Sequence, residues 1–128
     1  MTDQLPTARE LEALKVLWER QRCTVREIYD EMNTRSELAY TTVLSLLQTM
    51  ERKGLVERET AGRGKTHFYT ARLQAESTLR DLAGEFLDTV FEGAMSQYLV
   101  RALESRSVSS EELEEMEALI AEKKRQLG

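Results

Sequence analysis

The chain has 128 residues, 41% of them hydrophobic, and a formal net charge of −5. That length and composition suit one modest domain with a helical extension, and exclude both a disordered tail and a surface coated in positive charge for indiscriminate nucleic-acid binding. A single cysteine, Cys23, and a single proline exclude an internal disulfide, a cysteine-pair metal site and a proline-rich linker, and favour a reducing compartment such as the cytoplasm.

The chain starts Met1-Thr2-Asp3-Gln4-Leu5-Pro6. No basic start precedes an apolar run there, so no secretory signal is expected. Polar residues interrupt every apolar stretch well short of a membrane span, so no membrane partner is expected either. Thr7-Ala8-Arg9-Glu10 has capping-box spacing: a threonine hydroxyl for a free backbone N–H, and a glutamate that reaches back. It opens a helix to about residue 20 with Leu11, Leu14, Val16, Leu17 and Trp18 on its apolar side. Thr24-Val25-Arg26-Glu27 repeats the box and opens a short helix bearing Val25, Ile28, Tyr29 and Met32, which Asn33 can end.

A third helix is predicted from about Leu38 to Lys53, with Gly54 as its left-handed terminal residue. Val43, Leu46, Leu47 and Met50 follow i, i+3, i+4, i+7 spacing and form one stripe. The opposite face carries Thr41, Ser45, Gln48 and Arg52, with Thr42 and Thr49 beside them. Two β-prone segments, Leu55–Thr60 and Lys65–Thr70, flank Ala61-Gly62-Arg63-Gly64 and predict a hairpin. This region is locally basic: residues 52–72 hold Arg52, Lys53, Arg58, Arg63, Lys65 and Arg72 against Glu57 and Glu59. Residues 81–128 are acidic, with 5 lysines and arginines against 11 acids.

After the hairpin the helical period returns. Leu79, Leu82, Ala83, Phe86, Leu87, Val90, Ala94, Tyr98, Leu99 and Ala102 predict one continuous helix reaching about Glu104. Ser109-Ser110-Glu111-Glu112 caps a last helix carrying Leu113, Met116, Ile120 and Leu127. A stripe that broad cannot bury itself against a domain whose core is already closed. Two copies packing together would cover it, with Leu79, Leu82, Phe86, Leu87, Val90, Tyr98, Leu99, Leu113, Met116 and Ile120 as dimerisation candidates.

The expected fold is therefore mainly α with a small β-hairpin wing: a winged helix-turn-helix over residues 1–72 and a helical dimerisation domain over residues 73–128. In such a module the third helix enters the major groove, where hydroxyls and amides read base edges and a threonine methyl packs on thymine. Thr41, Thr42 and Ser45 are the base-reading candidates. Arg35, Tyr40, Gln48, Arg52, Arg63, Lys65, Thr66 and His67 are candidates for backbone contact, which sets affinity and register. The reading from another class is a winged helix that docks a protein and never touches DNA.

Catalysis has little support. The one histidine, His67, has no cysteine near it in sequence, the Gly62–Thr66 stretch lacks phosphate-loop spacing, and no cofactor or metal is expected. Cys23 precedes a helix start, where a thiolate would be favoured, although a small buried filler is the commoner role.

Ala39-Tyr40-Thr41-Thr42-Val43, Arg52-Lys53-Gly54-Leu55-Val56 and the wing Gly62-Arg63-Gly64-Lys65-Thr66-His67-Phe68-Tyr69 closely resemble the penicillinase and methicillin-resistance repressor (BlaI/MecI) family. The opening Glu10–Trp18 and the Thr24–Ile28 segment look like that family too. The match is one of letters over about residues 7–70 and one of layout beyond. The resemblance implies a homodimeric transcriptional repressor on a palindromic double-stranded DNA operator, with recognition residues where Thr41, Thr42 and Ser45 stand. Several members carry a basic residue where this chain has Thr41 or Thr49. Antibiotic-responsive relatives are inactivated by cleavage in this tail, commonly at an Asn-Phe bond, so the resemblance leaves an inactivating protease open as a partner without supporting it. This chain has no such bond; its nearest stretch is Tyr98-Leu99-Val100-Arg101-Ala102-Leu103. The cysteine-rich carboxyl end of copper-responsive relatives is absent as well.

Overall fold

A computed structural model describes residues 5–128, so Met1–Gln4, the first residues of the segment read as carrying no secretory signal, lie outside the described residues. The chain forms two compact units that divide between Gly84 and Glu85.

The first unit begins with α1, Ala8–Arg20. The Thr7 side chain accepts from the Glu10 backbone N–H, and the Glu10 carboxylate accepts from the Thr7 N–H, so the capping box is made in both directions. Thr24 and Glu27 repeat it at the start of α2, Val25–Asn33. Each box satisfies two backbone donors that a helix start otherwise leaves open. Helix α3, Tyr40–Lys53, begins two residues later than the sequence suggests. Ala39 is extended, and the Asn33 side chain accepts from the Leu38 N–H at 2.8 Å, so Leu38 belongs to the connecting turn. Gly54 ends α3 at φ 82°, in the left-handed region. A Cβ there would meet nothing within 4 Å. Gly54→Ala is therefore expected to lower stability through backbone strain alone, by about 1 kcal/mol, read as a lower urea midpoint with unchanged slope.

The wing is β2, Val56–Ala61, and β3, Thr66–Ala71, paired antiparallel with Val56 opposite Ala71 and Ala61 opposite Thr66. Its turn places Gly62 at φ 83° and Lys65 at φ 53°, closed by the Lys65 N–H donating to the Gly62 carbonyl. A third strand was not foreseen. Cys23–Thr24, here β1, pairs with Tyr69 and Phe68 on the other side of β3, giving the order β1-β3-β2. Two residues carry no periodicity, so nothing local announces that strand. The core lies between the three helices and this sheet: Leu14 and Leu17 of α1, Ile28 and Met32 of α2, Val43, Leu47 and Met50 of α3, then Leu55, Val56 and Tyr69. Leu46, expected on the same stripe as Val43, is only half-buried.

Cys23 is a core residue, fully buried. Burial pushes its thiol up, and the Glu27 carboxylate adds to the rise. Of the two roles weighed for Cys23, the structure supports the commoner one, a small buried filler: desolvation outweighs the pull of the helix start.

The carboxyl-terminal stretch is not one helix. Helix α4, Ala75–Phe91, ends where Glu92 and Gly93 both turn left-handed, at φ 52° and 81°, with the Gly93 N–H bonded to the Leu87 carbonyl. Helix α5, Met95–Glu104, and helix α6, Ser110–Leu127, follow. Ser109 and Glu112 form the third capping box. None of the described helices is long and apolar enough to cross a membrane.

Candidate nucleic-acid interface

Helix α3 turns Val43, Leu47 and Met50 into the core, so the residues offset from them by half a turn must face outward. Thr41, Thr42, Ser45, Gln48 and Arg52 are all found away from the buried stripe: Thr41, Thr42, Ser45 and Gln48 are exposed, and Thr49 is half-buried beside them. Arg52 donates to the Thr49 hydroxyl at 3.1 Å, which lays the guanidinium along the helix surface. At the other end Ala39 provides no side-chain cap, so the first N–H groups of α3 are not capped by a side chain. A helix N-terminus with free donors and a hydroxyl-rich face can meet phosphate oxygens and base edges together.

Tyr40, at the first helical position, is partly exposed and packs edge-on against Tyr29 of α2, with ring centroids 5.5 Å apart. The Arg26 guanidinium lies 5.4 Å from the Tyr29 centroid. Arg26 and Tyr29 thus extend the α3 surface onto α2. Their i, i+3 spacing was the only signal in the sequence, and a solvated helix face gives the same spacing. Arg35 is exposed in the turn between α2 and α3.

The fold sorts the basic strip. Lys53 reaches across to α1, where its Nζ donates to both Glu10 oxygens at 2.9 and 2.8 Å. Glu10 is 3% exposed. Burial pushes its carboxyl up, but hydrogen bonds from Lys53 and Thr7 and the lysine's charge outweigh that and hold it below the usual carboxylate range. Arg58 pairs with Glu51 and Arg72 with Glu57, each at 3.7 Å. Arg22 stacks over Phe68 at 4.0 Å and pairs with Glu59 at 3.0 Å. Among the described residues, that leaves Arg52, Arg63 and Lys65 as the cations of residues 52–72 with no carboxylate within ion-pair distance.

Arg63 and Lys65 sit at the exposed tip of the wing, and Thr66 and His67 follow on β3, also exposed. His67 Nδ1 shares a 2.9 Å hydrogen bond with the hydroxyl of Thr60, its cross-strand neighbour. That contact fixes the ring and leaves Nε2 for an outside partner. No group of three or more metal-ligating side chains occurs among the described residues.

The second unit presents the opposite chemistry. No residue of α5 or α6 is buried. Phe86, Phe91 and Tyr98 meet edge-on with centroids 5.6 to 6.3 Å apart. They border an open groove of about 620 Å³ completed by Leu99, Leu103 and Met116. Phe86, Val90, Tyr98, Leu99, Leu113 and Ile120 are exposed, whereas Leu87 and Met116 are half-buried; of the candidates that fall in the first unit, Leu79 is exposed and Leu82 half-buried.

The Penicillinase repressor family model matches residues 6–122. A curated relative, the penicillinase repressor of Bacillus licheniformis, is 24% identical over 115 residues, covering 90% of this chain and 88% of that one. Among solved structures, MepR, a transcription regulator of the Staphylococcus aureus multidrug efflux pump MepA, is 23% identical. That alignment covers 95% of this chain and 80% of that chain, with a TM-score of 0.47. A MarR family protein from Bacillus stearothermophilus is 25% identical, covering 95% and 75% of the two chains, with a TM-score of 0.47. With the family match running from ahead of the first capping box to near the end of α6, the chain belongs to the penicillinase repressor family, a family of transcriptional repressors and not of enzymes.

Proposed function

We infer that the chain is a homodimeric repressor that reads a palindromic operator with α3 and grips the flanking backbone with its wing. The observation that carries this is the uncovered hydroxyl face of α3, Thr41, Thr42 and Ser45, with carboxylate-free cations at its far end and at the wing tip. Thr41, Thr42 and Ser45 read base edges; Arg35, Tyr40, Gln48, Arg52, Arg63, Lys65, Thr66 and His67 hold sugar and phosphate. The exposed apolar surface of α4, α5 and α6 is covered by a second copy, because a surface rich in Phe86, Val90, Leu119 and Ile120 is unfavourable in water. A two-fold protein then meets a two-fold site, with half-sites about 34–36 Å apart or a multiple of that.

Selection from a random duplex pool tests the reading. Recovery of a palindrome is expected, and recovery of unrelated sequences with no shared motif would overturn it. Thr42→Ala or Ser45→Ala is expected to relax base choice at one position of each half-site, costing about 1–3 kcal/mol of discrimination there. The same selection run on each variant reads that out.

A further inference from the structure

We propose that α2 shares in the DNA grip: Arg26 leaves Asp30 for a backbone phosphate, and Tyr29 is the positioning residue that holds Tyr40 against the same backbone. The proposal rests on the operator-binding reading above and adds two residues which that reading does not use.

Helix α2 has two unlike flanks. Val25, Ile28 and Met32 form its buried line. Successive helix residues turn by about 100°, so Arg26 and Tyr29 lie about 60° apart on one side of that line, and Glu27 and Glu31 lie on the other. The contacts agree with the spacing. Tyr29 meets Tyr40, the first residue of α3, at 5.5 Å between centroids, and the Arg26 guanidinium lies 5.4 Å from the Tyr29 centroid. Glu27 accepts from the Thr24 N–H at 2.8 Å, and Glu31 accepts from Arg20 of α1 at 2.8 Å. The flank beside α3 therefore carries Arg26 and two phenol rings, with Asp30 at its outer margin.

In a helix-turn-helix the first of the two helices crosses the DNA backbone while the second enters the groove. A backbone bordering the groove that admits the amino end of α3 passes the flank of α2 joined to that end. Arg26 pairs with Asp30 at 3.4 Å, but the two side chains are 69% and 60% exposed, against 42% and 36% for the Arg58–Glu51 pair. A pair so open to water contributes little and is readily exchanged for a phosphate, which a guanidinium binds through stronger charge-assisted hydrogen bonds. The Tyr29 ring holds the guanidinium on the α3 side by cation–π attraction. The same ring packs edge-on against Tyr40, which is 38% exposed. That contact restricts the Tyr40 ring beforehand, so less side-chain freedom is lost when its hydroxyl meets the backbone.

Titration of labelled duplex over a salt series tests both roles in the full chain, with urea unfolding to show that each variant is folded. Arg26→Ala is expected to weaken operator and unrelated duplex alike by roughly tenfold, and to make the slope of log affinity against log salt shallower by about 1. Asp30→Asn is expected to tighten both by about two- to fivefold, the ratio that an exposed ion pair withholds. Tyr29→Phe is expected to bind as the native chain does, and Tyr29→Leu to bind several-fold more weakly at unchanged slope. In a Tyr40→Phe background, Tyr29→Leu is expected to weaken binding no further. Native affinity and slope for Arg26→Ala, or an Asp30→Asn chain that binds no tighter, overturn the phosphate contact. Native affinity for Tyr29→Leu, a loss that adds in full to that of Tyr40→Phe, or a Tyr29→Phe chain as weak as Tyr29→Leu overturns the positioning role. Either result leaves the operator reading standing so long as the native chain binds duplex with a steep salt slope. A native chain that binds no duplex at any salt overturns both.

Discussion

Lys53→Met is expected to destabilise the amino-terminal unit by about 2–3 kcal/mol at neutral pH. The lysine is the sole basic partner of a carboxylate that the fold has almost removed from water, and it binds both Glu10 oxygens. Without it Glu10 remains buried and charged, keeping only its cap to the Thr7 N–H. The pH dependence has a definite sign. In the native chain the Glu10 carboxyl lies below its usual range, so its contribution to stability is fully present above the unfolded value and is lost as pH falls through the folded value. In the variant, desolvation is opposed only by the cap, so the carboxyl rises and protonation relieves the penalty. The stability gap between the two proteins should therefore narrow as pH drops toward about 4. Urea unfolding at neutral pH and again near the carboxylate range checks this, and a gap that widens in acid would contradict it. Glu10→Gln added to Lys53→Met is expected to regain part of the loss, because it removes the orphaned charge and keeps an acceptor for Thr7.

The second large effect concerns the wing. Arg63→Ala combined with Lys65→Ala is expected to weaken binding to operator and to unrelated duplex alike, by roughly tenfold for each cation removed. The slope of log affinity against log salt should become shallower by about 1 per residue. Arg58→Ala supplies the contrast. Its guanidinium is directed at Glu51, so the salt slope should hardly change. Titration of labelled duplex over a salt series separates the outcomes. Equal slopes for the wing variant and the native chain would remove Arg63 and Lys65 from the phosphate contacts.

How far the sequence alone could carry these expectations depends on the range of each interaction. The three capping boxes, at Thr7, Thr24 and Ser109, were legible because each is closed by residues three apart. The stripe of α3 was legible for the same reason, since helical spacing decides which side chains share a face. The outward direction of Thr41, Thr42 and Ser45 followed from the inward direction of Val43 and Leu47. The break in the tail was not legible. Gly84 and Gly93 both fall within the stretch read as one helix, yet α4 passes through Gly84 and ends before Gly93. A helix tolerates a single glycine, and it stops here because Glu92 also leaves the helical region.

The residues themselves determined the kind of surface this protein has: an apolar stripe, a hydroxyl face, a basic turn and an acidic tail, all written in spacing and composition. Tertiary structure decided which charges are available. Six cations stand between positions 52 and 72, and sequence could not tell Lys53, committed to a buried glutamate 43 residues away, from Arg63 and Lys65, left in water. It also placed Cys23 in the core, through a two-residue strand that exists only because β3 lies alongside it. Both outcomes depend on partners distant along the chain, and a partner's position becomes defined only once the helices have closed over the sheet.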